Sequence, residues 1–145
     1  MQSSEPRKQR EATVREHMES ENLQRWDRTI ATFAHPRYEL IGSGQVIDGA
    51  DAVMNYFKAS RTVFPDQRNE LIAMHHADDA VIVEFNLFGT HKGAMGPIAA
   101  TGRSFKCRMV AVFMFQGDKI TCERVYWDSA TIMRQLGLGD RAAVS

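Results

Sequence analysis

Long apolar runs are missing from this chain: none approaches the ~18 residues that a membrane-spanning helix needs. The opening segment, MQSSEPRKQRE, has no apolar core of the kind that marks a secretory signal, so a cytoplasmic protein is expected. Charge of one sign is missing too. Eighteen Lys and Arg balance eighteen Asp and Glu, which removes the electrostatic case for nucleic acid or an anionic membrane as a partner. Cysteine is scarce: Cys107 and Cys122 are the whole supply, without Cys-x-x-Cys spacing, and both fall in predicted strands. Two buried, reduced thiols are expected rather than a disulfide. Internal repeats, low-complexity tracts and linkers are absent as well.

What remains is ordinary for one globular domain: 145 residues, 43% hydrophobic and 25% charged. Residues 1–8 are polar and read as a flexible N-terminus, 9–138 as the single domain, and 139–145 as a flexible tail. From about Gln9 to Phe33 the apolar positions Val14, Met18, Trp26, Ile30 and Phe33 recur at three- and four-residue steps. That spacing predicts one long helix, or two abutting ones with a break near Glu21-Asn22. Arg37 to Ile41 reads as a short strand broken by Gly42-Ser43-Gly44. Asp48-Gly49 opens a further helix, with the stripe Val53, Tyr56, Phe57 and Phe64 and a stop at Pro65.

Asp66 to Met74 predicts a strand, and His75 to Asp79 its turn. In the next strand Val81, Val83, Phe85 and Leu87 share a face. An irregular loop from Gly89 to Thr101 leads to GRSFKCRMVAVFMF, QGDK and ITCERVYWD, a hairpin pattern. Ser129 to Leu136 then has helical spacing, with Asp128 placed as N-cap and Gly137 as the glycine beyond its end. Helices first and strands afterwards predict an α+β domain, a curved antiparallel sheet wrapped against helices.

The order strand, strand, Tyr-Trp-Asp, short helix, Gln-Leu-Gly resembles the SnoaL-like polyketide cyclases. These lie within the wider nuclear transport factor two and ketosteroid isomerase-like superfamily. Gly89-Thr90-His91, Pro97, Thr101-Gly102-Arg103 and His35-Pro36-Arg37-Tyr38 belong to the same match, which runs from about Glu11 to Leu138. The resemblance implies a cone-shaped sheet with a deep pocket between sheet and helices, and chemistry without a cofactor. It also implies a hydrophobic small-molecule substrate and pairing of two copies through the outer face of the sheet.

The decisive question is which face of the last strand looks into that pocket. A two-residue turn at Gly117-Asp118 pairs Phe113 with Cys122 and sends Arg124 to the apolar face. A three-residue turn from Gln116 to Asp118 pairs Ala111 with Glu123 and sends Glu123, Val125 and Trp127 there instead. The longer loop is the one the resembled family uses. Glu123 then stands among Cys107, Met109 and Ala111, where desolvation raises a carboxyl pKa and prepares a general acid or base. On a surface it would be an ordinary ion-paired glutamate.

Glu39 lies within one or two residues of the ketosteroid isomerases' base, so the resemblance makes it a second candidate against an exposed strand glutamate. Tyr38 is either a hydroxyl donor or core. His91, in the loop over the pocket mouth, is either a proton-transfer group or a holder of that loop. Phe85, Met109, Ala111, Val125 and Trp127 are the expected pocket walls. His75 and His76 point to opposite faces of a strand, so no shared metal is expected.

Two family catalytic sets fall on other residues. The cyclases' aspartate and pocket histidine correspond to Val125 and Ala111, and the epoxide hydrolases' Arg-x-Asp to Phe85 and Leu87. Two functions are therefore carried forward. One is a cofactor-independent acid/base enzyme (isomerase, cyclase or lyase type) acting on a hydrophobic cyclic or aromatic substrate. The other is a non-catalytic ligand-binding or dimeric interaction module of the same fold.

Overall fold

Val14 and Met18 put the apolar stripe of helix α1 (Ser4–Asn22) against the sheet, and both are buried. The computed structural model describes residues 4–139. Helix α1 begins at Ser4, so part of the segment expected to be flexible is helical; the rest of it and residues 140–145 lie outside the described residues. The break expected near Glu21-Asn22 is present, and α2 (Trp26–Ala31) follows it.

Strand β1 (Arg37–Leu40) and strand β2 (Gln45–Asp48) form a hairpin, and α3 (Ala50–Val63) follows. Strand β2 was not anticipated. Gly42-Ser43-Gly44 turns the chain instead of ending the strand: Ser43 and Gly44 both donate N–H to Leu40 O, and Gly44 has φ +75°. Next come β3 (Arg68–His76), β4 (Ala80–Thr90), β5 (Ser104–Gln116), β6 (Lys119–Tyr126) and the short helix α4 (Ser129–Gln135). Asp128 caps α4 as expected, its carboxylate accepting from Ala130 N at 3.1 Å, and Gly137 has φ +78°.

The six strands form one sheet in the order β2-β1-β6-β5-β4-β3. The expectation of an antiparallel sheet needs one correction: β1 runs parallel to β6. The β1–β2 hairpin docks as a unit on the free edge of β6, and the strand that meets β6 happens to share its direction. The sheet is thus mixed, curved by bulges in β3 and in the β5–β6 pair, and it packs its apolar face on the helices. On that face Phe105, Cys107, Met109, Ala111, Phe113 and Phe115 of β5 are all buried.

The hairpin register matches neither of the two expected. Gln116 pairs with Lys119, so the turn has two residues, yet Phe113 pairs with Glu123 rather than with Cys122. Thr121 is the difference: it is an extra residue between the Phe115–Ile120 and Met114–Cys122 pairs. One bulged residue shifts the ladder by one and restores the parity of the longer loop. Glu123 therefore faces inward, opposite Phe113 instead of Ala111, and Arg124 faces outward.

Polar contacts set α1 over this hairpin. Arg10 donates to Gly117 O at 3.0 Å and Asp78 O at 2.9 Å, and Thr13 donates to Asp118 O at 2.9 Å. At the other end Asn69 Nδ2 donates to Met18 O, and Asn69 N to Asn22 Oδ1. Clamped at both ends, α1 holds its inner face against β6 and β1.

Candidate active site

Four side chains meet where α1 crosses β1 and β6. Residues 14, 17, 18 and 21 share one face of α1, so His17 and Glu21 descend toward the sheet beside Val14 and Met18. Tyr38 of β1 pairs with Glu123 of β6, and both point inward. The carboxylate oxygens Glu123 Oε1 and Glu21 Oε2 lie 2.9 and 3.4 Å from His17 Nε2. Tyr38 donates its hydroxyl to Glu21 Oε2 at 2.8 Å, and its oxygen lies 3.1 Å from His17 Nε2.

Donor counting fixes the state of His17. Thr32 spends its own proton on Thr29 O at 2.6 Å, so its oxygen accepts from His17 Nδ1 at 2.9 Å. Tyr38 spends its proton on Glu21, so its oxygen accepts from Nε2. Both ring nitrogens are donors, and the ring is an imidazolium. Burial alone would pull its pKa down, but Glu21 and Glu123 outweigh burial and push it up to about 10.

The two carboxyls are driven apart. Burial would raise Glu21, but His17, Arg61 and the Tyr38 hydroxyl hold it below the usual carboxylate range. Glu123 is raised above that range, because burial and the charge of Glu21 outweigh the pull of His17. Its Oε1 touches the imidazolium but lies off the N–H directions, so this buried oxygen has no aligned donor among the described residues. Two carboxyls with opposite shifts around one cation offer a fixed counter-charge and a group able to exchange its proton. Tyr38 is pushed well above its ordinary value by burial and both carboxylates, and stays a neutral donor.

Glu21, Tyr38 and Glu123 line a cavity of about 60 Å³, with His17 behind them. Its apolar wall is Met18, Phe85, Leu87, Met109, Phe113 and Val125, and its polar wall is Glu21, Tyr38, Tyr56, Arg61, Gln67, Asn69 and Glu123. His17, Glu21 and Glu123 bring three ligand atoms within 4.8 Å of one another. With both ring nitrogens donating, His17 offers no lone pair to a metal in this arrangement.

Of the residues expected at the site, Glu123, Tyr38, Phe85, Met109 and Val125 are in the cavity wall. Glu39 is a correction. Strand alternation places it opposite Tyr38, on the outer face, where it accepts from Arg124 Nε at 2.7 Å and from Arg37 Nη2 at 3.0 Å. The first of these bonds is the main reason its pKa is lowered, the reverse of a base in waiting. His91 is also displaced from the cavity. It is fully buried behind Phe64, its Nδ1 accepting from Thr101 N at 3.2 Å, while its backbone bonds Gly102 and Arg103. It holds the loop. Ala111 is buried between Val83 and Val125 without lining the cavity, and Trp127 packs over Gly42 instead. His75 and His76 separate as alternation requires, to Glu84 and to Glu11.

Sequence reasoning missed His17, Glu21 and Arg61. A signal for the first two was available: polar residues four apart on the same stripe as Val14 and Met18 must be buried if that stripe is.

The family described as SnoaL-like polyketide cyclase matches residues 11–136. The chain is similar to the aklanonic acid methyl ester cyclase AcmA of Streptomyces galilaeus. The two are 29% identical over 129 residues, covering 87% of this chain and 89% of that one. Among solved structures it superposes on a SnoaL-like polyketide cyclase candidate from Jannaschia sp. CCS1. The TM-score is 0.83 at 17% identity, over 94% of this chain and 96% of the other. The phenazine biosynthesis-related protein PhzB2 of Pseudomonas aeruginosa gives 0.76 at 20% identity, over 95% and 86%.

Proposed function

The chain belongs to the SnoaL-like polyketide cyclases, and on that premise we propose that it closes a ring in a hydrophobic, aromatic polyketide by proton transfer at Glu123, without a cofactor. The observation that carries this is the buried Glu123 carboxyl, raised in pKa, with one oxygen lacking an aligned donor in a cavity with one wholly apolar wall. The chemistry is an internal aldol addition. Glu123 takes a proton from a carbon activated by neighbouring carbonyls. The C–H electrons move onto a carbonyl oxygen as an enolate. The carbanionic carbon then bonds a second carbonyl carbon, and that carbonyl's oxygen receives the proton back from Glu123. Atoms and electrons balance within one substrate, so no redox partner is required.

His17 stays protonated throughout and Glu21 stays ionised, which keeps the charge around Glu123 constant while its proton comes and goes. The cavity of about 60 Å³ has room for a few waters at ~10–15 Å³ each. A polyketide therefore enters by displacing the half-buried side chain of Gln67 at its wall. A purely binding module would be expected to fill this space with apolar side chains and to bury no carboxyl.

AcmA supplies the first compound to try, aklanonic acid methyl ester, together with other aromatic β-polyketone esters. Glu123→Gln preserves shape and removes the titration. It is expected to lower kcat by about 10²–10⁴-fold with KM little changed. A variant keeping more than a tenth of wild-type kcat overturns the assignment.

A further inference from the structure

We propose that Arg61 is the oxyanion-binding residue of this cavity, the group that receives the enolate or phenolate oxygen of the substrate. Arg61, on α3, lines the same cavity as Glu123. Its Nε is out of reach of solvent and has no acceptor. A buried, charged N–H without a partner is costly, and a structure retains one where something else supplies the acceptor. The rest of the guanidinium is held in place. Nη1 donates to Ser60 Oγ at 2.9 Å, and Cζ lies 4.9 Å from the centroid of the Trp26 ring, which is itself stacked on Phe57 at 4.8 Å. Among the described residues Arg61 makes no ion pair, although Glu21 stands near enough to feel its charge.

Both neighbouring carboxyls make their direct ionic contact with His17 and neither contacts Arg61, so its Nε is left for an anion brought from outside. The anion that fits is a delocalised oxygen on a flat, hydrophobic body, because the wall facing the polar groups is formed by Met18, Phe85, Leu87, Met109, Phe113 and Val125. An enolate meets that description: proton removal at Glu123 places negative charge on the substrate's carbonyl oxygen, and Arg61 donates a hydrogen bond to it without transferring a proton. The assignment rests on the acid/base reading of Glu123, and its test is separable from it.

The test uses 2-naphthol as an enolate mimic and naphthalene as its neutral counterpart, with phenolate read by absorbance and fluorescence on the intact protein. At fixed pH the wild type should hold at least about tenfold more bound naphtholate than Arg61→Met, with Arg61→Lys between them. Naphthalene should bind all three alike, which also reports that the variants are folded. Glu123→Gln should keep the naphtholate enrichment while losing turnover. Equal naphtholate in the wild type and Arg61→Met, or no binding of 2-naphthol, overturns the role of Arg61. Turnover surviving in Glu123→Gln with the enrichment intact overturns the acid/base reading and leaves Arg61 standing.

Discussion

Replacing His17 with Leu removes the cation that two buried carboxyls share, and the consequence should be readable as a pH dependence of stability. In the folded state His17 titrates at about 10, against 6.5 for the unfolded ring. The folded form thus keeps a proton that the unfolded form releases. Stability from this group is complete below pH 6.5 and is lost as pH rises toward 10. The interval corresponds to an upper limit of roughly 5 kcal/mol at 1.36 kcal/mol per pH unit. Breaking a buried ion pair by removing one partner costs about 3–5 kcal/mol, so the two figures agree in scale. Urea unfolding followed by Trp26 and Trp127 fluorescence, at intervals from pH 6 to 10, gives both quantities. Cys107 and Cys122, whose thiols burial pushes up, also contribute near pH 9, but equally in both proteins. The difference between wild type and His17→Leu isolates the imidazolium. It should be several kcal/mol at pH 6 and shrink toward zero by pH 10. A difference that stays constant across this range refutes the charged network.

Two further outcomes follow from packing. A Cβ at Gly93 would lie 2.0 Å from Thr62 O, a backbone atom that cannot step aside, where Lys92 and Gly93 bond Val63 O. Gly93→Ala should cost about 1–3 kcal/mol in denaturant unfolding, and a neutral result contradicts the close approach. On the outer face of the sheet Val110, Val112 and Met114 are only half-buried and Tyr126 is 43% exposed. Pairing of two copies through this face predicts light scattering from a particle of twice 16.4 kDa at micromolar concentration, and a 16.4 kDa particle contradicts it.

Much of the fold was legible because burial writes itself as periodicity. The alternation at 81–87 and 105–113 is the inner face of β4 and β5, and Asp128 and Gly137 bracket α4 as their chemistry demands. The inward orientation of Glu123 was legible only in parity. A bulge at Thr121 has no compositional mark, since any residue can be the extra one, so the pairing partner could not be read. The parallel contact of β1 with β6 was equally silent, because it joins segments more than eighty residues apart and depends on how a hairpin docks. Glu39 was an avoidable error: Tyr38 and Glu39 are neighbours on a strand, and both cannot face one pocket. His17 and Glu21 were overlooked because the α1 stripe was read for its apolar members alone.

The proposed chemistry turns on the proton exchanged by Glu123, and that proton can be observed directly. With ¹³C-labelled glutamate, the Glu123 carboxyl resonance is identified as the one missing from Glu123→Gln, and it is then followed against pH in the unliganded protein. A midpoint above the ordinary 4.5 is predicted, with the imidazolium signals of His17 unchanged through that transition. A carboxyl that titrates at or below 4.5 would mean that Glu123 is a fixed counter-ion like Glu21, and would contradict its role as the acid and base of this cavity.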